Sequence, residues 1–567
     1  MIALDDFVRT AHIAYFTMEI ALRPEIHTYS GGLGVLAGDT ARTCADLDLP
    51  VAFVTLISRA GYLRQTIDAE GRQVEHPDPW RPEDWVTPLG AMVMLEIEGR
   101  AVWVRAWLYN QHNGTDFQVP VILLDTDVPE NDPRDREITH YLYGGEQSYR
   151  LKQEMVLGIG GTRILRALGF DIHTFHMNEG HAAFLSLELL RNYELVSRKG
   201  ITGEIAYDVG RVRNMCIFTT HTPVHAGFDR FPYPMVEEIL GTTYFALDQL
   251  KLLAGDDSLN MTRLALNLSG YVNGVAKRHA ETSRNMFPGY RVHAITNGVH
   301  APTWVSPSFA RLYDKYVPDW RHEPELLIWA DKAPDREVWE AHQTSKRALI
   351  AEIEKASGVK MDPEIPLLGF ARRMTGYKRA DLMFQDLERL QRIYQKHPFQ
   401  LVLAGKAHPR DGSGKKIIED IHQHLHWLSD KIPVAYLPNY DTDVAAFLVS
   451  GCDVWLNTPL PPLEASGTSG MKAAINGLLN LSVLDGWWYE ACIEGTTGWA
   501  IGDGSEDTSH DQDSADLYEK LEKVVLPLYY GDRDRWIWMM KQTVSKIGSY
   551  YNSHRMMRRY AADAYIR

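Results

Sequence analysis

Cysteine is scarce in this chain: four in 567 residues, at Cys44, Cys216, Cys452 and Cys492, with no CxxC pair among them. That excludes a disulfide-stapled fold, argues against a cysteine zinc site and fits a reducing compartment. No apolar run approaches membrane-spanning length. The N-terminal stretch Met1 to Thr10 carries Asp5 and Asp6 where a secretory leader would need positive charge. The expectation is a cytoplasmic protein with no membrane partner. Positive charge is also in deficit, 59 Lys and Arg against 74 Asp and Glu, for a net charge of −15. A nucleic-acid partner needs a basic face, so none is expected, although a local basic cluster can still hold phosphate. Apolar content of 45% and charged content of 23% are ordinary for a globular protein. The length is too great for one core and implies two large domains, or three. The 15 tryptophans would suit sugar stacking, but most are read as core.

What is present is organised around Glu464-Ala-Ser-Gly-Thr-Ser-Gly-Met-Lys472. It follows a strand-like run, Asp453 to Asn457, and a break at Pro459, Pro461 and Pro462, and leads into an amphipathic segment, Met471 to Leu479. Strand, glycine-rich turn and helix start make a phosphate cradle, with Lys472 just inside the helix. A lysine there can be a point charge for a nucleotide or the Schiff-base partner of an aldehyde cofactor carrying its own phosphate. The competing reading is a plain β-α turn of a parallel sheet.

The full string resembles the pyridoxal-phosphate lysine motif of the α-glucan phosphorylases, the glycogen, starch and maltodextrin phosphorylases. In that family the final lysine forms the Schiff base. Ser469-Gly470, in place of Gly-Asn, is similar to the shorter prokaryotic branch. Further segments carry the resemblance from Ile13 to about Gly502: Arg150-Leu-Lys-Gln-Glu154, Asn178-Glu-Gly-His181, His221-Thr-Pro223, Thr296-Asn-Gly298 with Trp304, and Arg372-Arg-Met-Thr-Gly-Tyr-Lys-Arg379. The last puts four basic residues after a buried strand, where it is read as opening a helix; a solvated helix face is the competing reading. His173 and His176 lie near Glu179 and His181, but strand alternation sends the first two to opposite faces, and no metal is expected.

Along the chain, strands are expected at His12–Ile20, Val51–Ile57, Ala101–Tyr109, Pro120–Asp125, Ile172–Asn178 and from Cys216, with an Ala-rich helix over Val35–Asp46 after the turn Tyr29 to Gly34. Thr66 to Thr87 reads as a surface excursion and Met261 to Phe287 as one long helical region. In the second half, strands are expected at Leu367–Ala371, Phe399–Ala404, Val434–Leu437, Val454–Asn457 and Leu479–Val483, with helices between them. Helices at Ala515–Tyr530 and Tyr551–Arg567 are expected to pack back on the first domain. The class is therefore α/β, with ligands outside the carboxyl ends of two parallel, doubly wound sheets. The resemblance makes these two Rossmann-like domains facing across a cleft, the GT-B type of glycosyltransferase. The expected division is 1–303, 304–545 and a returning segment 546–567, with the crossing near Ala301–Ser306.

The implied reaction is phosphorolysis of an α-1,4-glucan or maltooligosaccharide by inorganic phosphate, giving α-glucose 1-phosphate with retention. By the same resemblance, Lys472, Arg373, Lys378 and His221 are the catalytic set. Thr468, Ser469, Gly470, Arg372, Tyr440 and Trp304 join Lys472 around pyridoxal 5′-phosphate. Glu19, Gly32, Leu33, Glu179, His181, His221, Asn297, Glu464, Ser466 and Gly467 form the substrate site. The cofactor phosphate, with a second pKa near ~6, would trade a proton with substrate phosphate. Three departures bear on acceptor length and gating: Asp441 in place of an arginine after Tyr440, Met374-Thr-Gly376 in place of Ile-His-Glu, and Tyr143-Gly-Gly-Glu146 without Asp-Asn. The alternative is a sugar-nucleotide-dependent retaining glycosyltransferase, which would need a base-binding pocket; a glucan-binding protein without catalysis would be expected to have lost Lys472 or Arg373. The oligomeric state is left open, a homo-oligomer included.

Overall fold

The computed structural model describes residues 4–112, 117–195, 207–224 and 227–566. Nineteen strands are numbered along the described residues. The first thirteen are β1 (Ile13–Thr17), β2 (Val51–Leu56), β3 (Arg64–Ile67), β4 (Gln73–His76), β5 (Thr87–Ile97), β6 (Arg100–His112), β7 (Gln118–Asp125), β8 (Thr174–Asn178), β9 (Cys216–Thr219), β10 (Arg230–Pro232), β11 (Ser258–Asn260), β12 (Tyr271–Gly274) and β13 (His293–Ala294). The remainder are β14 (Leu367–Ala371), β15 (Gln400–Ala404), β16 (Val434–Leu437), β17 (Val454–Asn457), β18 (Leu479–Val483) and β19 (Gly498–Ile501).

Among the described residues, nine strands form a first sheet in the order β13-β12-β9-β8-β1-β2-β7-β6-β5, and six form a second in the order β16-β15-β14-β17-β18-β19. The second sheet is parallel throughout. The first is parallel except where β6 meets β5 and β7. β1, β2, β14, β15 and β18 are buried at every residue, the pattern of a sheet covered by helices on both faces. Each fully buried Val, Leu, Ile or Phe there contributes roughly 1.5–3 kcal/mol.

The strand orders decide where a ligand can lie. In the first sheet, chain order reverses between β1 and its neighbours β2 and β8; in the second, between β14 and its neighbours β15 and β17. A crevice opens at such a switch point, outside the carboxyl ends. The loops after β1, β8 and β9 face it from one side, and those after β14, β15 and β17 from the other.

Several sequence expectations need correction. Thr66–Thr87 lies mostly at the surface but is not a free excursion: β3 and β4 form a hairpin whose Gln65 and Gln73 bond the second half at Gly405 O and Ala407 O, both at 2.9 Å. The region also ends in β5, an antiparallel edge strand that sequence reading left out, as it did β19. The expected long helix Met261–Phe287 is two helices, Met261–Asn267 and Lys277–Met286, with β12 between them. Tyr271–Gly274 runs in parallel register with β9 and β13, and that pairing sets it as a strand between the two helices. Met471–Leu479 is not amphipathic: a helix over Ser469–Ala474 is buried almost all round, and Gly477 (φ +78°) turns the chain into β18. The basic run after β14 opens no helix, only a single 3-10 turn at Gly376–Lys378. At the C-terminus, Leu517, Tyr518, Leu526 and Tyr529 join the second sheet's core instead of the first. Met556, Met557, Tyr560 and Ala564, from Ser553–Tyr565, pack against Tyr15, Ala37 and Val51 beside the first sheet.

Candidate active site

The crevice is a cleft of about 750 Å³ lined from both halves. Every expected site residue lines it except Gly470, which lies beneath the surface, where a Cβ would come within 2.5 Å of Asn480 Oδ1 and 2.7 Å of the Trp487 ring.

On the first-sheet rim, Glu19 braces the glycine turn. Its Oε2 accepts from Ser30 N (2.6 Å), Ser30 Oγ (3.1 Å) and Gly31 N (3.1 Å), and its Oε1 from Tyr143 OH (2.9 Å). Gly34 is required by close approach, since a Cβ would sit 2.7 Å from Glu19 Oε2. Gly32 and Leu33 begin the helix Gly32–Asp46 and line the cleft, so the helix's positive end lies at the cleft wall. Glu179, in a left-handed conformation (φ 76°), accepts from Gly180 N, His221 N and Thr222 Oγ1 at 2.9, 2.7 and 3.0 Å, tying the loop after β8 to the one after β9. His221 Nε2 lies 2.6 Å from Asn178 Oδ1. Burial pushes its pKa to about 3, so it is a neutral ring at pH 7. His181 is lowered likewise, to about 3, by burial and then by Arg150. Its Nε2 accepts from Arg150 at 3.0 Å, and Arg150 reaches Glu154 and Asp229.

The second-sheet rim is cationic. The four basic residues after β14 separate into different roles. Glu464 receives Lys378 Nζ at 2.9 and 2.7 Å and also pairs with Arg372, whose other nitrogen meets Asn457. Burial opposes ionisation of Glu464, but Arg372 and Lys378 outweigh it and hold its carboxyl at about 2. Arg379 is buried and pairs with Asp513 at 2.6 Å. Arg373 is open to the cleft, with no carboxylate within 4 Å among the described residues.

Lys472 is buried, its Nζ 3.8 Å from the centre of the Trp304 ring. Trp304 Nε1 donates to Asp39 Oδ1 and Oδ2 at 3.1 and 2.9 Å. Asn476, in the turn after the lysine's helix, donates to the Trp304 carbonyl at 2.8 Å. Burial lowers the Lys472 pKa to about 8, with Asp39 opposing and Arg42 assisting. A useful fraction of the amine is therefore unprotonated near neutral pH, as attack on an aldehyde requires. Nearby, Ser466 Oγ, Asn297 Oδ1 and Arg372 Nε are buried without a hydrogen-bond partner, while Gly467 (φ +88°) bends the turn. Tyr440 lines the same wall, its hydroxyl kept protonated by burial. A nucleophilic amine, unsatisfied polar atoms and a neighbouring free cation fit an aldehyde cofactor with a phosphate. Sequence reasoning gave no role to Asp39, Asp229, Lys406, His408 or Arg410, which also line or support the cleft; Arg150 and Glu154 were visible only as part of a motif. Among the described residues, no three His, Cys, Asp or Glu side chains come together as a metal site.

Residues 242–495 match the family described as Phosphorylase: Carbohydrate phosphorylase. The maltodextrin phosphorylase of Thermococcus litoralis is 41% identical over 594 residues, covering 98% of this chain and 70% of that protein. The glycogen phosphorylase of Mycobacterium tuberculosis is 36% identical over 615 residues, covering 98% and 70%. That of Aquifex aeolicus is 36% identical over 606 residues, covering 98% and 86%. These relatives are 36–41% identical and cover 98% of the chain, which belongs to the carbohydrate phosphorylase family.

Proposed function

We propose that this protein is an α-1,4-glucan phosphorylase that uses pyridoxal 5′-phosphate. It takes a maltooligosaccharide or glucan and inorganic phosphate to a glucan one unit shorter and α-glucose 1-phosphate, with retention. The observation that carries the reading is the isolated Lys472 amine above Trp304, with the unpaired Arg373 on the same wall of the cleft. Lys472 would hold the cofactor, with Thr468, Ser469, Tyr440, Trp304 and Arg372 around it. When bound, the cofactor supplies a phosphate with a second pKa near ~6, matched to proton exchange at neutral pH.

The chain's own groups account for the rest. Arg373 holds negative charge on the substrate phosphate as the glycosidic bond breaks, a role suited to a bidentate guanidinium. Lys378 stands beside it, its charge shared with Glu464. His221 acts as a neutral hydrogen-bonding group toward the sugar, fixed by Asn178 and Glu179. The loops from Gly32, Leu33, Asn297 and His181 surround the glucan and exclude water, which would otherwise compete with phosphate. In this reading residues 1–303 and 304–545 are the two domains, and 546–567 ties the second back to the first.

The purified protein incubated with maltooligosaccharide and inorganic phosphate is expected to form α-glucose 1-phosphate, read by phosphorus NMR. Transfer from UDP-glucose or ADP-glucose without phosphate would overturn the proposal.

A further inference from the structure

Beyond β14 and β15 the two chains stay paired. Arg372 N donates to Ala404 O (3.2 Å) and Met374 N to Lys406 O (3.0 Å). The register Ala371↔Ala404, carried two residues further, sets Arg373 opposite Lys406. Neighbouring strands are about 4.8 Å apart, and both side chains line the cleft. Neither has a carboxylate within 4 Å among the described residues, and nor does Arg410, four residues on. Like charges placed side by side repel unless an anion lies between them. In a chain with a net charge of −15, two facing cations left unneutralised on the wall of a cleft mark a place for one.

The position of Lys406 is built from the other half of the molecule. Gln65 on β3 donates from Nε2 to Gly405 O and exchanges two bonds with Asn439, at 3.0 and 2.9 Å. Gln73 on β4 donates to Ala407 O and accepts from Ala407 N, both at 2.9 Å. The backbone on either side of Lys406 is thus held by buried amides, and among the described residues its Nζ has one protein acceptor, Leu63 O at 3.1 Å. An ammonium has three donors, which leaves two for a ligand. Burial lowers the Lys406 pKa, against the nearby Asp441 and Asp78, the response of a cation short of a counter-ion. His408 and Tyr62, ring centres 6.0 Å apart, line the same wall.

We infer that Lys406 is a phosphate-binding residue, which with Arg373 opposite it holds the phosphate group that inorganic phosphate and glucose 1-phosphate have in common. The inference rests on the phosphorolysis reading. It also makes the phosphate site complete only when the β3–β4 hairpin is docked on the second sheet.

Lys406→Met keeps the side chain's length and removes its charge. The KM for inorganic phosphate in breakdown and for glucose 1-phosphate in synthesis are both expected to rise about tenfold, the loss of one charge-assisted contact. The KM for maltooligosaccharide stays within about twofold, and Lys406→Arg recovers most of the loss. In a separate melting experiment, inorganic phosphate alone should stabilise the wild-type protein and not Lys406→Met. Should the methionine variant fail to fold, Lys406→Gln is read in the same way. Phosphate KM values unchanged in both directions, or a rise in only one, would overturn the inference while a wild type that makes glucose 1-phosphate keeps the phosphorolysis reading. A wild type without that activity sinks the phosphorolysis reading. Phosphate stabilisation then still decides the anion site, and its equal presence in Lys406→Met would reject it.

Discussion

The rim formed by the loops after β1, β8 and β9 holds carboxylates and imidazoles that are already bonded within the protein. Glu19 accepts from Ser30, Gly31 and Tyr143, and Glu179 from Gly180, His221 and Thr222. His181 and His221 are pushed to about 3 and stay neutral. The facing rim, after β14, β15 and β17, carries cations, and they divide further. Arg372 and Lys378 share one carboxylate, Glu464, and Arg379 pairs with Asp513, whereas Arg373 and Lys406 have no carboxylate within 4 Å among the described residues. A sugar ring is recognised by fixed, uncharged donors and acceptors, and a phosphate by charge left unpaired. Identity as a basic residue therefore says little about role; the partner already in place says more.

Replacing Lys472 tests the centre of the second rim. Lys472→Ala is expected to carry no near-ultraviolet cofactor band after reconstitution with pyridoxal phosphate and to lose phosphorolysis altogether. A variant that keeps both would remove the basis for placing the cofactor there. The division among the arginines should show next. Arg373→Ala is expected to cut turnover by ~10² or more with little change in melting temperature, since the group faces the cleft and its charge acts in the reaction. Arg379→Ala should behave in the opposite sense, costing about 3–5 kcal/mol of stability, because it strands the buried Asp513 carboxylate. Equal melting of the two variants would erase the distinction between paired and unpaired cations.

The smallest effect expected is on acid stability. Glu464 has a pKa of about 2 in the folded protein against 4.5 for the free side chain. The unfolded chain therefore binds the proton first as pH falls. The Glu464 contribution, a few kcal/mol at most, is complete above about pH 4.5 and declines toward pH 2. Melting curves should show wild type losing stability more steeply over that interval than Glu464→Gln. Asp485 works with the opposite sign: burial raises it to about 7 against the opposing backbone N–H groups of Glu464 and Gly486, so its contribution falls as pH climbs from 3.8 toward 7. Parallel slopes in wild type and Glu464→Gln would mean that the carboxylate does not clamp Arg372 and Lys378 in solution.

The α/β class, the second-half strands β14, β16, β17 and β18 and the location of the motifs at strand ends could be read directly. Parallel strands covered on both faces are continuous apolar runs, and glycine-rich turns after them carry their own local signal. Elements that depend on a distant partner were read wrongly. β12 lies between β13 and β9, partners remote in sequence or beyond a helix, and its extension comes from pairing with them. The β3–β4 hairpin looks like a polar surface loop until Gln65 and Gln73 are seen bonded to Gly405 and Ala407.

The same separation holds at the site. Sequence alone placed Lys472 just inside a helix after a glycine-rich turn and put four cations after a buried strand, because both are local arrangements of neighbouring residues. Which of those cations is free was decided by Glu464 and Asp513, which lie 86 and 134 residues from their partners Lys378 and Arg379. The isolation of Lys472 above a tryptophan held by Asp39, and the pairing of Arg373 with Lys406, were likewise decided by tertiary structure. Charge balance within a cleft depends on distances of a few ångströms between side chains remote in sequence, and only the folded chain sets them.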